Sequence, residues 1–189
     1  MTIIRAVPEV EATGEVAAIY ADEVESLGYV PPHPKVMATN AAAYRAFEAL
    51  IQSVAVPLGL RRYELVTLAA ARGTGSQHCR LAHGVKALQV FNEDKLASIA
   101  RDYTDAGLTA AEVEMMRFAE RVAVDAPAMT DADALRLRDV GFSDREIVDI
   151  TIAASARLYL GSALQALAVD VDVPERLSEP VRSALVEGL

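Results

Sequence analysis

The chain has 189 residues, of which 52% are hydrophobic, 24% are charged and 5% are aromatic. This composition is typical of a helix-rich globular domain with a well-buried core, and it excludes an intrinsically disordered chain. The net charge is −9 and the basic residues do not cluster, so we expect neither nucleic acid nor an anionic membrane surface as a partner. A single cysteine excludes an internal disulfide and fits a reducing cytoplasm, where we expect the protein to act.

Hydrophobic periodicity predicts helices almost throughout and no convincing strand, so the predicted class is all-α. In chain order, the predicted helices cover residues 14–27, 40–57, 60–72, 76–91, 92–103, 109–124, 130–140 and 143–168, followed by a short C-terminal helix. Capping boxes begin at Thr109 and Ser143. Pro31, Pro32 and Pro34 predict an extended connector, in which His33 is expected to be solvated or to cap a helix.

The most apolar stretch, residues 147–171, is interrupted by Asp149, Arg157 and Asp170. A buried helix or a subunit interface explains it better than a membrane span. Together with the alanine-rich helical surfaces, this stretch predicts a homo-oligomer, because it offers more apolar area than one small domain needs to bury.

We expect a single domain over residues 1–189, with a motif-bearing half at about 35–92 and a second helical half at about 109–170. A faint internal repeat at an offset of 82 residues, which places Gly161 over Cys79, favours two similar halves. In this register both halves would keep a pair of helices, and only the first would carry reactive groups.

The reactive groups cluster around Cys79, which has His78 beside it and His83 four residues on. If Ser76 is the N-cap of the helix, Cys79 takes the third helical position, where the helix dipole favours the thiolate. His83 then projects from the same face one turn later. The glycine-rich break at residues 73–75 should turn this helix back against the preceding one.

That preceding helix carries Glu64, which could receive or return a proton. The pattern therefore predicts a relay in which Glu64, His78 and His83 move the thiol proton and Cys79 is the nucleophile.

Glu64, Ser76, the pair His78-Cys79 and His83 resemble the motif of the alkylhydroperoxidase D-like (AhpD-like), or carboxymuconolactone decarboxylase, superfamily. In the peroxidase branch of that superfamily, a Glu is followed by Cys-x-His-Cys-x-x-x-His. The resemblance implies an all-α AhpD-like fold, a homo-oligomer and a thiol redox site in which the Glu and His residues relay protons.

The run Gly28-Tyr29-Val30-Pro31 and residues 35–51 also resemble the peroxidase-related members, and the resemblance is strongest from Gly14 to Leu88. One departure concerns Ser76, which stands where the family has the first redox cysteine. An internal disulfide is therefore excluded. We expect Cys79 to reduce a small hydroperoxide, become sulfenic acid and be rescued by an external thiol.

Three alternatives stay open. Cys79 and His83, with Glu64 and His78, have the side chains that zinc prefers, but their spacing is a weak zinc signal, so we expect no metal and no cofactor. His83 and Glu64 could instead perform the acid–base chemistry of the non-redox decarboxylases in the superfamily. Finally, the chain could be a catalytically inactive, oligomeric helical binding protein.

Overall fold

The structure, a computed structural model that describes residues 3–189, consists of α-helices joined by short turns and contains no strand within that range. The α-helices are α1 (Gly14–Leu27), α2 (Pro32–Met37), α3 (Ala41–Gly73), α4 (Gln77–Ala87), α5 (Glu93–Asp102), α6 (Ala110–Asp125), α7 (Asp131–Asp139), α8 (Asp144–Ala166) and α9 (Glu179–Val186). Single 3-10 turns lie at Glu9–Glu11, Ala38–Asn40 and Ala126–Ala128. The predicted all-α class is confirmed.

Most helix starts follow from capping side chains that the sequence displays. Asn40 accepts a hydrogen bond from the third residue of α3 at 3.1 Å, and Asn92 accepts one from the third residue of α5 at 2.9 Å. The predicted capping boxes at Thr109 and Ser143 are both formed, at the starts of α6 and α8. Each cap satisfies a backbone N–H that has no partner within the helix.

Two boundaries differ from the prediction. The proline-rich connector is not extended throughout, because Pro32 and Pro34 lie in the first turn of α2, where a missing N–H removes no helical hydrogen bond. Helix α3 continues past Pro57 and is interrupted at Gly59, which has φ 74° and ψ 152°. Only glycine adopts this backbone conformation readily, so the interruption falls at the glycine and not at the proline.

The second segment of α3, residues 60–73, is the centre of the core. Its residues from Tyr63 to Ala71 are all buried, and it packs against α4, α6 and α8. Helix α8 contributes the facing apolar side, with Ile150, Ala153 and Ala154 fully buried. The small alanine side chains allow the helices to approach closely, and this brings α3, α4 and α8 together around the site.

The internal repeat does not extend to a second pair of helices. Its register places the break at residues 73–76 over residues 155–158, where α8 continues without interruption. The reason is local, because residues 155–158 contain no glycine or proline that would end a helix. Gly161 therefore does not take the place of Cys79 in a second pair of helices. It packs against Ser76, the residue before α4, because a Cβ added to Gly161 would lie 3.3 Å from Cβ of Ser76.

Within residues 3–189, one helix is long and apolar enough to pass a test for a membrane span. It is α8, with a mean hydropathy of 1.4 over an 18-residue window. In the fold, 56% of that window is buried against the other helices. This burial agrees with the sequence-based interpretation of residues 147–171 as a buried helix, which rested on the charged residues that interrupt the stretch.

A buried arginine joins four helices directly behind the predicted site. Arg80 is 2% exposed, and its guanidinium donates to the carbonyl oxygens of Leu185 at 2.8 Å and Ala100 at 2.9 Å. Longer bonds reach the carbonyls of Leu68 and Ala184. Three of these carbonyls lie in the last turns of α5 and α9. Carbonyl groups at that end of a helix have no hydrogen-bond partner within the helix and carry the negative end of the helix dipole.

We expect Arg80→Met to lower the free energy of unfolding by about 3 kcal/mol, because the substitution keeps the buried stem but leaves several carbonyls unsatisfied. Urea unfolding would measure this. The matched control is Arg138→Met, which removes an exposed ion pair with Asp144 and should cost less than about 1 kcal/mol. Equal losses in the two variants would contradict the structural role of Arg80.

Candidate functional site

Ser76 and Cys79 occupy the predicted places at the start of α4. Ser76 is the N-cap, and its Oγ accepts a hydrogen bond from the backbone N–H of Cys79 at 3.4 Å. Cys79 is therefore the third helical residue, next to the positive end of the helix dipole. The preceding turn is possible because Gly75 has a φ of 64°, which glycine adopts at no steric cost.

The centre of the site is a chain of three buried side chains. Nδ1 of His83 lies 2.8 Å from Oε2 of Glu64, and Nε2 of His83 lies 2.9 Å from Nη1 of Arg157. The three residues are between 1% and 5% exposed and come from α4, α3 and α8. The sequence predicted the meeting of Glu64 and His83, but not the part played by Arg157.

The contacts of His83 fix its tautomer. A guanidinium can only donate, so Nε2 of His83 must be the acceptor and its proton must lie on Nδ1, which donates to Glu64. Burial, reinforced by the positive charge of Arg157, lowers the pKa of His83 to about 4, although Glu64 acts in the opposite direction. His83 is therefore a neutral imidazole at physiological pH.

A cavity of about 200 Å³ gives access to this chain, and we call it the Cys79 cavity. Its thiol and basic lining residues are His33, His78, Cys79, His83, Lys86 and Arg157. The apolar part of the cavity wall is formed by Phe47, Ile51, Leu160 and Leu164. The volume lies below the usual range for sites that hold drug-sized ligands, so the cavity suits a small molecule.

Two histidines reach the cavity by different routes. His33 is half-buried and not freely solvated as predicted, because α2 carries it to the cavity wall, where burial and, to a smaller extent, Lys86 lower its pKa to about 3. His78 is half-buried, and burial lowers its pKa, while a hydrogen bond toward the Val169 carbonyl acts in the opposite direction.

The predicted proton relay is only partly assembled. Glu64 and His83 are in direct contact, but the thiol of Cys79 makes no hydrogen bond within residues 3–189, and His78 does not join the chain. The second nitrogen of His83 is occupied by Arg157 and not by the thiol. A transfer between Cys79 and His83 therefore requires Arg157 to leave Nε2, after which the thiol, a water or a substrate atom can reach that nitrogen.

The zinc alternative receives no support from the geometry. Across residues 3–189, no group of three or more His, Cys, Asp or Glu side chains is arranged to hold a metal ion. His83 has no nitrogen left for a metal, because Glu64 and Arg157 occupy both.

Sequence reasoning missed Arg157, Lys86 and His33 as cavity residues. For Arg157 a signal existed, since it is a charge in the middle of the most apolar stretch of the chain. Buried charges in such a stretch are paired or functional. Lys86 lies seven residues after Cys79, two helical turns along α4.

Comparison with solved structures identifies the fold. An uncharacterized peroxidase-related protein from Ralstonia eutropha JMP134, described as an alkylhydroperoxidase AhpD core, superposes with a TM-score of 0.77 at 20% identity, over 97% of this chain and 96% of the other. An uncharacterized peroxidase-related protein from Silicibacter sp. TM1040 gives 0.78 at 24% identity, over 89% and 91%. A variant of the debrominase Bmp8 in complex with 2,3,4-tribromopyrrole gives 0.77 at 15% identity, over 98% and 96%.

No protein-family model and no curated protein matches the sequence. The chain therefore has the AhpD-like fold of these peroxidase-related proteins. At such low identities the likeness extends to the fold alone, and the chemistry has to be argued from the site.

The neutral state of His83 makes stability depend on pH. Between pH 6.5 and about 4, the unfolded chain binds a proton at His83 that the folded protein does not bind. The free energy of unfolding should therefore be highest above pH 6.5 and fall as the pH falls, with His83 contributing up to about 1.4 kcal/mol per pH unit.

Urea unfolding of the wild type and of His83→Gln at several pH values would isolate this contribution. Gln offers an acceptor for Arg157 but does not titrate, so the variant should show a shallower decline between pH 6.5 and 4. Parallel declines would show that His83 is not held neutral.

Proposed function

We propose that this protein is a thiol peroxidase-like oxidoreductase that reduces a small hydroperoxide through Cys79. The observation that carries the proposal is the position of Cys79, at the start of α4 and in the wall of a cavity that also exposes His83. The thiolate is the nucleophilic form of cysteine, and the positive end of the helix dipole of α4 lies beside Cys79. The fold shared with peroxidase-related proteins supports the same assignment.

In the proposed reaction, the Cys79 thiolate attacks the terminal peroxide oxygen. A sulfur–oxygen bond forms as the oxygen–oxygen bond breaks, so the sulfur is oxidised to sulfenic acid and the peroxide is reduced to an alkoxide. The alkoxide takes up a proton and leaves as the alcohol. The Glu64–His83 pair can exchange protons with the cavity once Arg157 leaves Nε2 of His83.

Regeneration of the thiol needs an external reductant, since the chain has no second cysteine. One external thiol condenses with the sulfenic acid to give a mixed disulfide and water. A second thiol then releases Cys79 and leaves as the external disulfide. Ser76 takes no part in this redox cycle, and its hydroxyl instead caps α4.

A second candidate is the acid–base chemistry of the decarboxylase branch. It is favoured by one observation, namely that Glu64 and His83 are hydrogen-bonded to each other while the Cys79 thiol has no hydrogen-bond partner in the described chain. In that case Cys79 would be a packing residue of the cavity wall. A homo-oligomer fits either function, and it is supported by exposed apolar side chains such as Val56, Val148 and Tyr159.

Stoichiometric hydroperoxide should add one oxygen atom to the wild-type protein, because Cys79 stops at sulfenic acid when no thiol is present. Intact-mass spectrometry with a sulfenate-trapping reagent would measure this. Cys79→Ser is the control and should gain nothing. A wild-type mass that stays unchanged under excess peroxide would reject the redox proposal in favour of the acid–base alternative.

Ser76→Cys should create a dithiol that closes on oxidation. The N-cap and the third helical residue are one turn apart, a separation that in Cys-x-x-Cys motifs permits a disulfide. After the same peroxide treatment, this variant should lose two hydrogens, whereas the wild type gains one oxygen. A variant that gains oxygen without forming an internal bond would contradict the proposed attack geometry at the start of α4.

A further inference from the structure

The guanidinium of Arg157 has far fewer partners than its burial requires. The residue is 3% exposed, and its only hydrogen bond within residues 3–189 runs from Nη1 to His83. Nε is enclosed and has no partner, while Nη2 makes no hydrogen bond and remains accessible. No carboxylate of the described chain lies within ion-pair distance, and the only other charge-related contact is the Phe47 ring, 5.6 Å from the guanidinium carbon.

The buried arginine elsewhere in the chain shows what a satisfied site looks like. Arg80 is equally buried, but four carbonyl oxygens accept its hydrogen bonds. Leaving a buried charge without such partners costs several kcal/mol. The difference indicates that the partner of Arg157 is not part of the chain.

The unused donors of Arg157 differ in their access to the cavity. Nη2 is the donor that a ligand in the cavity can reach, because Nε is enclosed by protein atoms. A carboxylate oxygen is a strong acceptor for such a charged N–H group. Nη1 is already engaged by His83. A carboxylate can therefore bind Arg157 without breaking the Glu64–His83–Arg157 chain.

Lys86 brings a second positive charge to the wall of the Cys79 cavity. Both Lys86 and Arg157 contribute to lowering the pKa of His33, after the larger effect of burial. Lys86 lines the cavity and forms no ion pair within residues 3–189. The charge of Glu64 is the nearest compensation for Arg157, and the imidazole of His83 separates the two.

Acids also line the cavity, but other groups engage them. Glu48 pairs with Arg45 at 2.9 Å, Asp172 accepts from the Tyr29 hydroxyl, and Glu23, which also interacts with Lys86, accepts from the Tyr44 hydroxyl at 3.2 Å. They leave Arg157 free for a ligand.

From these contacts we propose that the Cys79 cavity binds a small organic carboxylate through Arg157, with Lys86 adding positive charge and Phe47 and Leu160 contacting the apolar part. The substrate is then a hydroperoxide that carries a carboxylate. This specificity rests on the proposed peroxidase function, but the anion site itself does not, because its residues do not include the thiol.

Isothermal titration with hexanoate and hexanamide at pH 7 tests the anion site directly. The two probes have the same shape, and the carboxylate should bind at least about tenfold more tightly because it alone can pair with the guanidinium. Equal affinities, or no binding of either probe, would overturn the proposal.

Variants assign the effect to Arg157. Arg157→Lys keeps the charge but replaces the two nitrogens that serve His83 and the ligand separately by one ammonium, so hexanoate should bind about tenfold or more weakly. Arg138→Gln is the matched control, because Arg138 does not line the cavity and pairs with the exposed Asp144, and the affinity of this variant for hexanoate should stay unchanged. Equal losses in the two variants would show a general charge effect and reject the site. Should Arg157→Lys fail to fold, the comparison of the two probes on wild-type protein decides alone.

The substrate specificity is tested by the rate of Cys79 oxidation. With 6-hydroperoxyhexanoate the rate should exceed that with 1-hydroperoxyhexane by at least about tenfold. Cys79→Ser should bind hexanoate as the wild type does. If hexanoate binds and no hydroperoxide oxidises Cys79, the anion site stands and the peroxidase proposal fails. If Cys79 is oxidised while hexanoate does not bind, this inference alone fails.

Discussion

The site depends on one neutral imidazole held between a carboxylate and a guanidinium. Glu64 and Arg157 are both nearly inaccessible to water, and either one buried alone would cost several kcal/mol. His83 connects them with a hydrogen bond at each ring nitrogen, so Glu64 offsets the charge of Arg157 only in part, through the ring. The same two hydrogen bonds fix the tautomer of His83 and join α3, α4 and α8 at this point.

This interaction constrains the backbone around it. Glu64 lies on the fully buried segment of α3, His83 lies on α4, and the two helices must fold back on each other within a short turn. Gly75 makes the turn possible through its positive φ, and Ser76 then restarts the helix as its cap. Cys79 is placed by this turn and not by a contact of its own, which explains why its thiol reaches the cavity without a side-chain partner.

Much of this could be predicted from the sequence because it is encoded locally. Capping residues such as Asn40, Ser76 and Thr109 mark helix starts, because each accepts a hydrogen bond from the backbone N–H three residues later, and all of them occupy their predicted places. The glycine-rich break also predicted that the helix of Glu64 turns back against the helix of Cys79 and His83, and the contact between Glu64 and His83 agrees with this prediction. The division into two halves stays a prediction, and so do the catalytic roles.

What the sequence did not predict arises from contacts between distant segments. Arg157 is 74 residues from His83, and nothing in its neighbourhood indicates which buried group it faces. The role of His33 depends on how α2 packs, because Pro32 and Pro34 fit the first turn of a helix as well as an extended segment. Gly59 interrupts α3 where Pro57 was expected to, because the break needs a positive φ, which glycine adopts readily and proline cannot.

The serine at position 76 stabilises α4, because serine is a favourable helix cap. The chain has no second cysteine that could resolve an oxidised Cys79 internally. In the proposed cycle, the oxidant and the reductant therefore have to reach the same thiol, which is 3% exposed, through the same cavity of about 200 Å³. The proposed function thus makes the shape and charge of this cavity decide which reductant can react with Cys79.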